Sequence, residues 1–79
     1  MNVLLFGITK EIVGDSPLHI SVESNVKNVR QLRSFLLKEY PKLQELSSLA
    51  IAVNNKYAQE DDNITIDDEI ALIPPVSGG

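Results

Sequence analysis

The chain has 79 residues, with 11 acidic against 7 basic side chains, a formal net charge of −4 and no cysteine. A domain of this size holds a thin core and leaves no room for a deep substrate cleft beside it, which favours a binding or carrier module over a self-sufficient enzyme. The acidic balance argues against nucleic acid and anionic membranes as partners, and the missing cysteines remove disulfides, thiolate metal ligands and a cysteine nucleophile.

MNVLLFGI is apolar but short, with no basic lead and no cleavage site, so a signal peptide is not expected. No apolar run approaches the roughly 18 residues that span a bilayer, and the expected setting is cytoplasmic. VLLFGI (3–8) reads as a central strand. Gly14 and then Asp15-Ser16-Pro17 mark a turn, with room for a short helical turn at 9–13. LHISVE (18–23) alternates, Leu18, Ile20 and Val22 against His19, Ser21 and Glu23, as a half-buried edge strand pairing antiparallel with the first. The clearest helix starts at Asn28, where Gln31 three residues on completes a capping-box-like start. Val29, Leu32, Phe35, Leu36 and Tyr40 then form one apolar stripe, with Arg30, Arg33 and Lys38 off it. Pro41 ends the helix or restarts it at KLQELS, with Leu43 and Leu46 inward. LAIAVN (49–54) is the next strand, Asn54-Asn55 a tight turn and Tyr57-Ala58 a short return strand. The acidic stretch 60–69 is expected as loops, and IALIP (70–74) as the final strand. One helix on one face of a mixed sheet is an α+β architecture, and this order is that of a ubiquitin-like β-grasp. The reading is a single domain over 1–79 with a flexible tail at about 75–79.

One helix covers one face of the sheet. Val3, Leu5, Ile70 and Leu72 are assigned to the covered face, and Leu4, Phe6, Ala71 and Ile73 to the other, with polar Asn2 in phase with them. Apolar side chains left uncovered on a small domain mark a partner surface; a shift of register would instead put Phe6 in the core.

The chain closes with IALIPPVSGG. Pro74 and Pro75 stiffen the exit from the last strand and stop it pairing onward. Residues 75–79 reach at most about 16–18 Å when extended. Gly78 and Gly79 carry no Cβ, so their backbone fits a channel too narrow for side chains. Such a channel would receive the carboxylate of Gly79, which becomes reactive once activated, for example as an acyl-adenylate made with ATP. The chain would then supply the reactive group and another protein the catalysis. The competing reading is a frayed end.

Across its whole length the sequence resembles the MoaD sulfur-carrier family, the small subunits of molybdopterin synthase. FGITKEIVG resembles that family's segment after the first strand, NVRQLRSFLLKEYP its long helix, IAVNNKYA its valine–asparagine hairpin and DDEIALIPP its closing strand; PPVSGG is the most diagnostic part. The resemblance implies that an E1-like enzyme of MoeB type adenylates the Gly79 carboxylate, using ATP, and that a cysteine desulfurase or rhodanese-type donor converts it to a thiocarboxylate. The tail then inserts into a MoaE-type large subunit, where its sulfur attacks a cyclic pyranopterin precursor, in a heterotetramer of two large and two small subunits. On this basis Gly79 carries the sulfur, Gly78 gives it access, and Pro75, Val76 and Ser77 line the entrance. Phe6, Tyr57 and Ile73 match apolar partner contacts, and Lys10 matches a basic contact that is usually arginine. Asp67-Asp68-Glu69 replaces the usual Gly-Asp-Glu. The chain itself would be a non-catalytic sulfur donor holding no cofactor or metal. Thiamine-pathway and tRNA-thiolation carriers, a ubiquitin-like modifier joined to lysines through Gly79, and a plain interaction module are the alternatives.

Other features carry less. His19, the lone histidine, falls on the polar side of its strand. Glu60, Asp61, Asp62, Asp67, Asp68 and Glu69 fail the EF-hand pattern, because Ile66 stands where the loop needs glycine, and read as a solvated acidic rim that could steer a basic partner. Lys27, Arg30 and Arg33 read as the wet side of the helix. Asn63-Ile64-Thr65 is a glycosylation triplet without a secretory context.

Overall fold

Asn28 sets the start of the main helix. Its backbone is extended, and its Oδ1 accepts the amide of Gln31 at 2.8 Å. Gln31 Oε1 accepts in return from the amide of Lys27 at 2.8 Å, one residue further back than in the usual capping box. The two amides that follow Asn28 are also satisfied, because Val29 N donates to the carbonyl of Asp62 at 3.0 Å and Arg30 N to that of Glu60 at 2.9 Å. The acidic stretch is therefore docked on the helix N-terminus, where negative charge is favoured. Only part of it is the free rim expected from the sequence.

The computed structural model of the chain describes residues 1–46 and 48–75. Its elements run β1 (Asn2–Leu5), α1 (Ile8–Val13), β2 (Leu18–His19), a 3-10 turn (Val22–Ser24), α2 (Val29–Glu39), a second 3-10 segment (Pro41–Glu45), β3 (Ala50–Val53), β4 (Lys56–Tyr57) and β5 (Ile70–Ile73). The five strands order as β2-β1-β5-β3-β4. β1 and β5 run parallel at the centre, and the other pairs are antiparallel. This is the ubiquitin-like β-grasp.

Tyr40 ends α2 outside the helical region (φ −129°, ψ 78°), since the ring of the following proline disfavours helical backbone, and Pro41 opens the 3-10 segment that buries Leu43. The hairpin between β3 and β4 turns on Asn54 (φ 52°) and Asn55 (φ 69°), both left-handed, the geometry that matches the twist of two paired strands. The core lies between α2 and one face of the sheet. Val3, Leu5, Ile51, Ile70 and Leu72 meet Val29, Leu32, Leu36 and Leu43 there, all within 3% of complete burial. Each such leucine or isoleucine contributes about 1.5–3 kcal/mol by leaving water.

Three further expectations change. The first strand, read over 3–8, stops at Leu5, because the Phe6 amide turns to Thr9 Oγ1 and Ile8 opens α1. The second strand stops at His19, because Ser21 bends the chain: its Oγ accepts the amide of Glu23 at 3.1 Å and its carbonyl that of Ser24 at 3.0 Å. Arg33 is not on the wet side of the helix. It is half-buried, pairs with Glu60 at 2.7 Å through Nε, and donates through Nη1 to the carbonyl of Leu49.

Candidate functional site

The uncovered face of the sheet is built by register. Leu4 pairs with Ala71, Ala71 with Ala52 and Ala52 with Tyr57, so these four form one row across β1, β5, β3 and β4. Ala50 and Ile73 form the next row. The alanines in the middle leave a shallow trough between larger side chains. Leu4, Phe6, Ala52, Asn55, Tyr57, Glu69, Ala71 and Ile73 line a depression of roughly 290 Å³ there. Phe6 is 49% exposed and Tyr57 75% exposed, large apolar surfaces that the fold itself does not cover.

The structure thus brings Phe6, Tyr57 and Ile73 together and keeps Phe6 out of the core. Lys10 is not among them. It lies on α1, exposed, where its backbone carbonyl accepts the amide of Gly14 at 2.8 Å. Gly14 ends that helix with φ 95°.

β5 delivers the tail at the edge of this face. Pro74 follows Ile73 and sits beside Gly7, where an added Cβ would stand 3.7 Å from Pro74 Cγ. Pro75 is half-buried. Val76, Ser77, Gly78 and Gly79 lie outside the described residues.

Among the described residues, the titratable groups lining the trough are Tyr57 and Glu69, so its walls offer contact and exclusion of water more than proton transfer. Next to it, Asp68 is held below the usual carboxylate range, first by the side-chain hydrogen bond from Asn54 and then by the backbone amide of Thr65. Among the described residues, no group of three or more histidine, cysteine or acidic side chains is placed to hold a metal ion, and no helix is long and apolar enough to cross a membrane. His19 is exposed and shares a 3.0 Å hydrogen bond between its Nδ1 and Asn2 Oδ1.

Sequence reasoning missed two features that shape this face. Ala52 and Ala71 make it concave, and their signal was small residues at alternate positions in two strands. Thr9 ties down the turn after β1, and its signal was a lone hydroxyl in the apolar run FGIT.

Residues 3–79 match the ThiS family. The molybdopterin synthase sulfur carrier subunit of Dictyostelium discoideum is 36% identical over 81 residues, which span 99% of this chain and 94% of the relative. A chain in the complex of subunits 1 and 2 of molybdopterin-converting factor from Helicobacter pylori is 29% identical with a TM-score of 0.65, covering 99% of this chain and 96% of that one. Small archaeal modifier protein 1 from Methanosarcina acetivorans is 25% identical with a TM-score of 0.78, covering 99% and 94%. The β-grasp, the uncovered apolar face and full-length likeness agree: the chain belongs to the ThiS family and is of the MoaD type.

Proposed function

We propose that this chain is the sulfur-carrier small subunit of a molybdopterin synthase. The observation that carries the reading is the uncovered apolar trough with Pro74 and Pro75 leaving its edge toward Val76-Ser77-Gly78-Gly79. A large subunit like the one paired with subunit 1 in the Helicobacter pylori complex would cover the trough and receive the tail. The carboxylate of Gly79 first attacks ATP on an E1-like enzyme, forming an acyl-adenylate and releasing pyrophosphate. The terminal sulfur of a persulfide on a cysteine desulfurase or rhodanese-type donor then bonds to the carbonyl carbon as AMP leaves, and a thiol cleaves the resulting acyl disulfide, releasing the thiocarboxylate and leaving a disulfide with the donor sulfur. The resulting thiocarboxylate enters the large subunit, and its sulfur attacks the cyclic pyranopterin. Gly78 and Gly79 keep the path free of side chains. Phe6, Tyr57 and Ile73 supply docking area, and the catalytic side chains belong to the partner.

The test is reconstitution. The Gly79 thiocarboxylate, verified by its mass, is mixed with the large subunit and the cyclic pyranopterin precursor. Dithiolene product that depends on the thiocarboxylate supports the reading. Thiocarboxylate that forms and yields no product with a cognate large subunit overturns the pathway and leaves the carrier chemistry. Likeness to small archaeal modifier protein 1 favours one second reading, attachment to protein lysines. Isopeptide conjugates that require Gly79, found by mass spectrometry of cell extracts, would establish it.

A further inference from the structure

Phe6 stands where β1 has run out. The ladder to β5 closes at Leu5 with Leu72, and Phe6 follows it into a turn. Its amide and carbonyl therefore need partners that the sheet no longer supplies. One side chain provides both. Thr9 Oγ1 accepts from Phe6 N at 3.0 Å and donates to Phe6 O at 2.6 Å, while Thr9 N donates to the same carbonyl at 3.1 Å. Thr9 is fully buried and is the one buried polar residue among those described. A hydroxyl taken out of water is costly unless both its donor and its acceptor capacity are used, and here Phe6 uses both.

The loop that this closes is only four residues long. Gly7 within it has φ 53°, a conformation that a side chain disfavours, and no side chain caps the start of α1. Backbone bonds from Thr9 N to the Phe6 carbonyl and from Lys10 N and Glu11 N to the Gly7 carbonyl close the turn, and the Thr9 hydroxyl is the side-chain group that also holds the Phe6 amide. The turn's two outward products are the Phe6 ring on the trough and the Gly7 surface beside Pro74, where the tail begins.

We propose that Thr9 is a positioning residue for the docking face: its hydroxyl fixes the backbone of Phe6 so that the ring is presented beside Ile73, on the same trough as Tyr57 and in register with the exit of the tail. This rests on reading the trough as the surface that the large subunit covers. Thr9 itself touches neither partner nor the transferred sulfur. It acts through Phe6.

Thr9→Val keeps the shape of the side chain and deletes the oxygen, while Thr9→Ser keeps the oxygen. Two measurements separate the positioning claim from the functional reading. In the free protein, nuclear Overhauser contacts from the Phe6 ring to Ile73, and the exchange rate of the Phe6 amide, are followed in all three forms. Thr9→Val should lose the ring contacts and exchange the Phe6 amide at least about tenfold faster, with the β3–β5 amides unchanged; Thr9→Ser should match the parent. Calorimetric titration against the molybdopterin synthase large subunit is then run on the parent, Thr9→Val, Phe6→Ala and the double variant. Thr9→Val should weaken binding by about tenfold in the parent and by less than about twofold in the Phe6→Ala background, since residues that act as one unit are not additive. Equal losses in both backgrounds, or ring contacts that survive Thr9→Val, overturn the proposal. If the parent does not bind the large subunit, the functional reading falls and the ring contacts alone decide the role of Thr9.

Discussion

Asn54 and Asp68 are joined across the sheet. Asn54 Nδ2 donates to Asp68 Oδ1 at 2.9 Å, while Asn54 Oδ1 accepts the amide of Glu69 at 2.9 Å. The backbone repeats the link, since Asn54 N donates to the carbonyl of Glu69 at 2.8 Å. Asp68 Oδ2 also takes the amide of Thr65 at 2.8 Å. The β3–β4 turn and the turn that launches β5 are thereby one unit, which fixes where β5 starts.

This latch should make stability sensitive to acid. The hydrogen bonds to Asp68 favour its charged form and lower its pKa from the ordinary value of 3.8. A carboxylate depressed in the folded state contributes stability that is complete above the unfolded value and is lost as pH falls through the folded one. Asp68→Asn should therefore melt below the parent at neutral pH, and the gap should narrow as pH drops through and below 3.8. Calorimetric melts between pH 7 and pH 2.5 check this; a gap that stays constant with pH counts against the latch.

Backbone and side chain at Asn54 can be told apart. With φ 52°, the position disfavours an ordinary residue by about 1–2 kcal/mol, and glycine carries no such penalty. Asn54→Gly should lose only the latch, whereas Asn54→Ala should lose the latch and suffer the strain. Urea denaturation should rank the parent above Asn54→Gly and Asn54→Gly above Asn54→Ala.

Arg33 should be a stability residue with little tolerance for lysine. Its guanidinium serves Glu60 and the Leu49 carbonyl at once, with 27% of the side chain exposed. Arg33→Ala is expected to cost about 1–3 kcal/mol, since it removes charge-assisted bonds at a half-buried place. A lysine has one point of charge where the arginine uses two separate nitrogens, so Arg33→Lys should recover less than half of that loss in chemical denaturation.

Tyr57 should behave in the opposite way. At 75% exposed it gives the fold almost nothing, so Tyr57→Ala should leave the melting temperature nearly unchanged. If the trough docks the large subunit, the same substitution should weaken that complex by about tenfold or more, as truncating an aromatic anchor does. Surface plasmon resonance on the folded variant checks it. Parent-like affinity would remove Tyr57 from the interface.

What could be read from the sequence was whatever acts over a few residues. Asn28 with Gln31 announces a helix start, and Asn54-Asn55 announces a left-handed turn, because the side chains responsible lie beside the backbone they control. Alternation in β1 and β5 separated Val3, Leu5, Ile70 and Leu72, which are buried, from Leu4, Phe6, Ala71 and Ile73, which are not. What could not be read depends on distant partners. Arg33 looks like any off-stripe arginine until Glu60, 27 residues away, is placed against it. Glu60 and Asp62 look like a loose acidic rim until their carbonyls meet α2. Ser21 stops β2 by a local bond that the apolar alternation around it conceals. The docking face was legible as a stripe, and its concavity was not, because that needs Ala52 and Ala71 set side by side by register.

Both outer strands, β2 and β4, are only two residues long. A sheet border that brief has too few free amide and carbonyl groups to recruit a strand from another molecule, and β4 adds the exposed charge of Lys56 there. The open side of the sheet can therefore stay greasy while its short borders give a growing fibril little to template on.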